Sequence, residues 1–269
     1  MANPRAPGAI SPSELSSPST VIRKERRKAK SFERKKQRNR RMLLLEVRSP
    51  LKSFFTGGVE YDSRVEPSAI EGFIEDFHCF IEALCVAPDW GQGVELKFRP
   101  LGHHRADGLF YPEQAVLVLD LKSSKSFAHE FGHLVDYGAS QRGFETGGGA
   151  LSSSRGFLPF QQLLLSQMEG RAKEDPRLRG KKGRLSWRYF TSPAECFARA
   201  FEQYVSEALP APSSLVGEPA RFRADPLFFQ ELPPALGAYF RALLAGCHEQ
   251  AISSPRARTI PGWRRLACP

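Results

Sequence analysis

The chain has 269 residues, 41% of them apolar, enough to bury one sizeable core in one or two domains. Its formal charge of +10 is local: between Arg23 and Arg41 twelve Lys/Arg stand against Glu25 and Glu33, so the rest of the chain is neutral. Five cysteines without a CxxC pair exclude a disulfide scaffold and point to a reducing compartment. No segment approaches the roughly 18–20 apolar residues of a membrane span, and Met1 to Ile22 lacks the apolar core of a signal peptide, so a cytoplasmic protein is expected.

Residues 1–50 open with Pro/Ser-rich sequence and continue as a solid basic run, a composition that predicts a disordered basic extension able to turn helical on a partner. The folded domain is expected over 51–250. Ile70, Phe73, Ile74, Phe77, Ile81 and Leu84 recur at helical spacing over 67–85, with Pro67 at the start and Pro88 closing the helix. Alternation marks strands at 94–98, 109–111 and 115–121, the last two joined by a tight connection near Pro112. A helix capped by Ser126 or Ser124 follows and runs to about Tyr137. A Gly/Ser-rich loop, a helix over 159–168 and a charged loop lead to a helix beginning at Pro193, whose apolar side is Ala194, Phe197, Ala198, Phe201, Tyr204 and Val205. A last helix spans about 233–245, and 251–269 is a tail of turn-like and basic composition.

The chemistry centres on His129-Glu130-Phe131-Gly132-His133. Histidines at i and i+4 stand one turn apart on one helix face, about 6 Å along the axis, where both imidazoles can reach one Zn²⁺. Glu130, about 100° round the helix, falls beside such a metal rather than on it, placed as a general base for a water whose pKa zinc lowers to about 7. Gly132 costs about 1 kcal/mol of helix propensity relative to Ala and would let another backbone approach closely.

Two imidazoles and one carboxylate leave a fourth coordination position open, the pattern of catalytic zinc. The helix from Pro193 supplies the carboxylate. Glu195 is the assigned third ligand, with Glu202, seven residues on and on the same face, as its competitor; in the bland alternative Glu195 pairs with Arg199 at i+4. A metzincin arrangement would need Gly and His where the chain has Asp136 and Ala139. Asp136 shares the face of both histidines and is a candidate to accept a hydrogen bond from a ligand imidazole. Tyr189, Tyr204 and His104 are candidates for stabilising an oxyanion.

The segments AHEFGHLVDY (128–137) and RYFTSPAECFARAFEQYV (188–205) together resemble the zincin-like domain, type 1, of large polyvalent proteins from phages and mobile elements, and more broadly the gluzincin metallopeptidases. ADGLFYP (106–112) shares the likeness, which covers roughly 95–250; the Tyr-Trp pair of the second motif stands here as Tyr189-Phe190, with Trp187 nearby. The resemblance implies an α+β zincin-like fold, a small sheet packed on the active-site helix and a mostly helical C-terminal half. It also implies Zn²⁺ held by His129, His133 and Glu195, with Glu130 catalytic.

The function expected is a zinc metalloendopeptidase acting on a protein or peptide, or a mobile-element effector protease. The alternative of another class is a non-catalytic, zinc-stabilised interaction module tethered to nucleic acid by its basic extension; the intact Glu130 favours catalysis. Residues 23–41 offer weak nonspecific contact with nucleic acid or an anionic surface.

Overall fold

In the computed structural model, residues 18–102, 106–139, 149–172, 187–210 and 212–252 are described, and they form nine α-helices and one four-stranded sheet. The architecture is α+β with a small mixed sheet and mostly helical content. Two units divide after Val47. The described part of the first is helix α1 (Pro18–Arg48), where a disordered extension is expected from composition. After Pro18 the segment contains neither Pro nor Gly and is dominated by Lys, Arg, Glu and Leu, all good helix formers.

The second unit begins with α2 (Leu51–Phe54) and β1 (Gly58–Tyr61), neither of which has a sequence signal long enough to show periodicity. Helix α3 (Pro67–Ala83) buries Ile70, Phe73, Phe77 and Phe80, while Ile74 and Ile81 are half-buried, so its core face is turned toward Phe80. It ends with Cys85 at φ +50°, a left-handed stop two residues before Ala87-Pro88. Strands β2 (Glu95–Phe98), β3 (Gly108–Tyr111) and β4 (Val116–Leu119) complete a sheet ordered β1-β2-β4-β3. β1, β2 and β4 run parallel, and β3 pairs antiparallel with β4, leaving β3 as an edge. In β2, Leu96 and Phe98 are buried while Lys97, on the other face, bridges Glu60 at 3.0 Å and Glu95 at 2.9 Å.

Helix α4 (Phe127–Gly138) lies across β3 and β4. Its Phe127 and Phe131 meet Phe73, Phe77 and Phe80 of α3 mostly edge to face, with centroids 5.2–5.7 Å apart. Such pairs add about 0.5–1.5 kcal/mol each to the burial of the rings, so α4 is anchored through one face and its opposite face is left for chemistry. The remaining helices are α5 (Leu158–Ala172), α6 (Trp187–Phe190), α7 (Pro193–Ala208), α8 (Pro219–Ala224) and α9 (Pro234–Ile252). α7 packs along α4 on that second face. Among the described residues no helix is long and apolar enough to cross a membrane.

Candidate metal centre

The start of α4 differs from the expected serine cap. A 3-10 stretch, Leu121–Ser126, runs directly into the helix, and neither serine caps it. Ser124 Oγ instead donates to the Ser214 carbonyl at 3.0 Å, and the Ala128 N–H donates to the Leu215 carbonyl at 3.1 Å. The segment at 214–215 thus ties down the turn that carries His129.

Three ligand atoms come together, one each from His129, His133 and Glu195, all within 4.8 Å of one another. The imidazoles stand edge to face with centroids 4.9 Å apart. His129 Nε2 lies 3.5 Å from Glu195 Oε2, and His133 Nε2 lies 3.4 Å from Glu195 Oε1. Two donors on a tetrahedral zinc with bonds of about 2.05 Å sit about 3.4 Å apart, so each imidazole–carboxylate spacing is of that size, while a single oxygen shared by both rings would still have to draw them slightly closer.

Gly132 explains how α7 comes so near. A Cβ there would stand 3.0 Å from Ala198 Cα and 3.2 Å from Phe201 Cβ. The backbone whose close approach the glycine permits is therefore that of α7, the helix that bears Glu195. Arg199 does not pair with the Glu195 carboxylate. Its buried guanidinium donates to the Glu195 backbone carbonyl at 3.1 Å and to the Phe190 carbonyl, and stacks over the Phe190 ring, leaving the carboxylate to the histidines.

Glu202 faces the other nitrogen of the same ring: its Oε2 is 3.2 Å from His129 Nδ1. A carboxylate accepting from Nδ1–H fixes the tautomer in which Nε2 is a bare donor toward the cluster. Glu195 and Glu202 thus occupy different roles on one ring, where spacing alone made them competitors.

Of the other predicted site residues, Tyr189 belongs here: its hydroxyl bonds the Glu195 carboxylate, and burial together with that neighbour pushes its pKa up. Tyr204 does not. It is 4% exposed, its ring lies 5.4 Å from Phe240, and its hydroxyl is engaged with Arg241, because its side of α7 faces the core rather than α4. Asp136 is fully buried but serves another partner than a ligand imidazole. Its Oδ1 accepts from the Ser152 N–H at 2.6 Å, while Oδ2 has no hydrogen-bond partner among the described residues. Burial pushes its carboxyl up to about 6. His103 and His104 lie outside the described residues.

Glu130 is 9% exposed, and burial raises its pKa against the lowering pull of His129 and His133. It packs against Gly108 of edge strand β3, where a Cβ would come within 2.7 Å of Glu130 Cγ. Tyr137 also borders the site, its ring 6.5 Å from both His133 and Phe110. The i, i+4, i+8 spacing of His129, His133 and Tyr137 was the available signal for it; Gly108 had none beyond its place in a strand. Electrostatically, Glu130, Glu195 and Glu202 surround two imidazoles. Burial alone would lower the His129 pKa, but the bonds to Glu195 and Glu202 outweigh it and push it up to about 10. Burial would likewise raise Glu195, and the two imidazoles hold it well below the usual carboxylate range. The cluster could hold a cation.

Comparison with known proteins returns no match: no protein-family model, no curated protein and no solved structure is similar to this chain.

Proposed function

We propose that this chain is a zinc-dependent metallopeptidase of the gluzincin type, on a zincin-like fold akin to the type 1 domain of polyvalent proteins. The observation that carries the reading is the convergence of both Nε2 atoms on the Glu195 carboxylate at 3.4–3.5 Å, with buried Glu130 standing beside the triad and outside it. A purely structural zinc has no use for a buried carboxylate in that position. Five cysteines without a CxxC pair support a reducing, cytoplasmic setting.

Zinc, when bound, would polarise the scissile carbonyl and lower the pKa of water to about 7. The chain's own groups do the rest. Glu202 accepts the Nδ1–H of His129 and so aims Nε2 at the ion. Glu130 takes a proton from the attacking water at its carboxylate and delivers it to the leaving amine as the peptide C–N bond breaks. Its raised pKa suits both halves of that transfer. The Tyr189 hydroxyl donates to Glu195 and, on exchanging that partner for substrate, would donate to the oxygen that gains charge at the carbonyl carbon. The outer edge of β3 offers backbone groups to an extended peptide, and Gly108 lets that strand pack directly against Glu130.

Metal analysis of the purified chain beside three variants tests this. One zinc per chain is expected, retained in Glu130→Gln and lost in Glu195→Ala and His133→Ala, with hydrolysis of a casein or peptide-library substrate lost in all three. Stoichiometric zinc in Glu195→Ala would overturn the ligand assignment, and undiminished hydrolysis by Glu130→Gln would overturn the mechanism.

A further inference from the structure

The entire excess charge of the chain lies in α1, which contributes nothing to the metal centre. We propose that α1 is a docking surface for double-stranded nucleic acid, engaged through its phosphates. Arg27, Lys30, Arg34, Arg38 and Arg41 follow one another at steps of three, four, four and three residues, so they form a single stripe along one helix face. Four of the five are exposed and Arg38 is half-buried. The stripe covers fourteen residue steps, about 21 Å at 1.5 Å per residue. Glu33, the one acid in this span, is turned about 100° away from Arg34. Lys35, Lys36 and Arg40, all exposed, carry positive charge round the remaining faces.

Charge complementarity selects the partner. A duplex presents one negative charge per about 1.7 Å of axis, and a helix about 10–12 Å across fits the major groove of B-form DNA, about 12 Å wide. Insertion into an anionic membrane would need a continuous apolar face. The exposed apolar residues Phe32, Leu43 and Val47 share a side of the helix, but Lys36 and Arg40 fall among them, so no unbroken stripe exists to enter acyl chains. Single strands are held largely by stacking on aromatic rings, and between Arg27 and Arg41 there is only Phe32. Contacts of this kind are indifferent to base sequence.

The test uses the full-length chain and labelled 20-base-pair duplexes of arbitrary sequence, one DNA and one RNA, with anisotropy read from 50 to 300 mM KCl. Binding to at least one duplex is expected, with log K falling by about 0.9 per log unit of salt for each phosphate contact. Arg27→Ala/Lys30→Ala/Arg34→Ala, with helix content checked by circular dichroism, should weaken binding at 100 mM salt at least tenfold and flatten the slope by about 2.7. Arg27→Lys/Arg34→Lys should bind as the parent does, and zinc content should be unchanged in both, which separates this result from the fate of the metallopeptidase reading. The proposal is overturned if neither duplex binds, if the triple variant binds like the parent, or if a single strand binds tighter than either duplex. Capture by phosphatidylserine vesicles that disappears in Phe32→Ala/Leu43→Ala/Val47→Ala, with no duplex binding, would assign the helix to a membrane surface instead.

Discussion

Gly132→Ala probes a close contact between α4 and the helix that carries Glu195. The added methyl would sit 3.0 Å from Ala198 Cα, 3.2 Å from Phe201 Cβ and 3.3 Å from the Ala198 carbonyl oxygen. Those separations are up to about half an ångström inside ordinary carbon–carbon contact. None of the three atoms is the tip of a flexible side chain, so no rotamer change relieves the clash and the helices themselves have to part. Alanine gains about 1 kcal/mol over glycine in a helix interior, while overpacking costs about 1–3 kcal/mol, so the net effect on folding is small, from near zero to about 2 kcal/mol of destabilisation. Zinc affinity is the more sensitive readout, because moving α7 outward by tenths of an ångström acts directly on the Glu195 distances of 3.4–3.5 Å. We expect at least a tenfold loss in zinc affinity by competition with a chromophoric chelator, and a correspondingly smaller rise in Tm on adding zinc. A Gly132→Ala protein that melts higher than the parent and binds zinc equally well would show that α4 and α7 do not pack this closely.

Three further outcomes follow from single contacts. Glu202→Gln, which weakens the partner of His129 Nδ1, should reduce zinc affinity about 10–100-fold without abolishing binding; complete loss, as in Glu195→Ala, would make Glu202 a ligand. Asp136 has a folded pKa of about 6 against an ordinary 3.8, so the fold binds the extra proton between those values. Its cost to stability is absent below about pH 3.8 and fully developed above about pH 6, on the order of 3 kcal/mol for a group with no exposure. Asp136→Asn keeps an oxygen for the Ser152 N–H, so in chelator it should exceed the parent in urea-unfolding free energy at pH 8 and match it at pH 4; a difference independent of pH would refute the burial argument. Tyr189→Phe should keep its zinc and lose about 10²–10³-fold in kcat, the usual consequence of removing one oxyanion donor; an unchanged kcat would remove Tyr189 from the machinery.

Much of α3, the sheet and α4 was legible because each shows a clean period. Ile70, Phe73 and Phe77 announce a helix, Leu96 and Phe98 between charged neighbours announce a strand, and both are buried as their spacing requires. What failed was local and short-ranged. β1 has four residues, too few for alternation to register. The start of α4 finds a partner in the Leu215 carbonyl, some 90 residues away, so the serines at 124 and 126 suggested a cap that the helix does not use. In α1 low hydrophobicity argues against a packed core while Lys, Arg, Glu and Leu favour a helix that needs no core to express itself, so composition supports both an extension and a helix.

The third ligand shows why the site was only partly readable. His129 and His133 are fixed by the geometry of one helix, so their relation is contained in the sequence. Glu195 and Glu202 are seven residues apart, two turns of α7 and about 10.5 Å along its axis, and spacing gives both the same face. Which one reaches the Nε2 atoms depends on where α7 crosses α4, and that crossing is set by Gly132 against Ala198, an inter-helix contact with no signature in either helix alone. Once the crossing is fixed, both carboxylates lean toward the same imidazole from opposite ends: Glu195 meets Nε2 and Glu202 meets Nδ1. A ring clamped in this way has little freedom to rotate, so the i, i+7 pair on α7 does more than offer two alternatives. On the proposed reading it would supply a ligand and the group that orients a second one, and losing either should be felt at a bound metal by a different route, Glu195 through the bond itself and Glu202 through the direction in which His129 points.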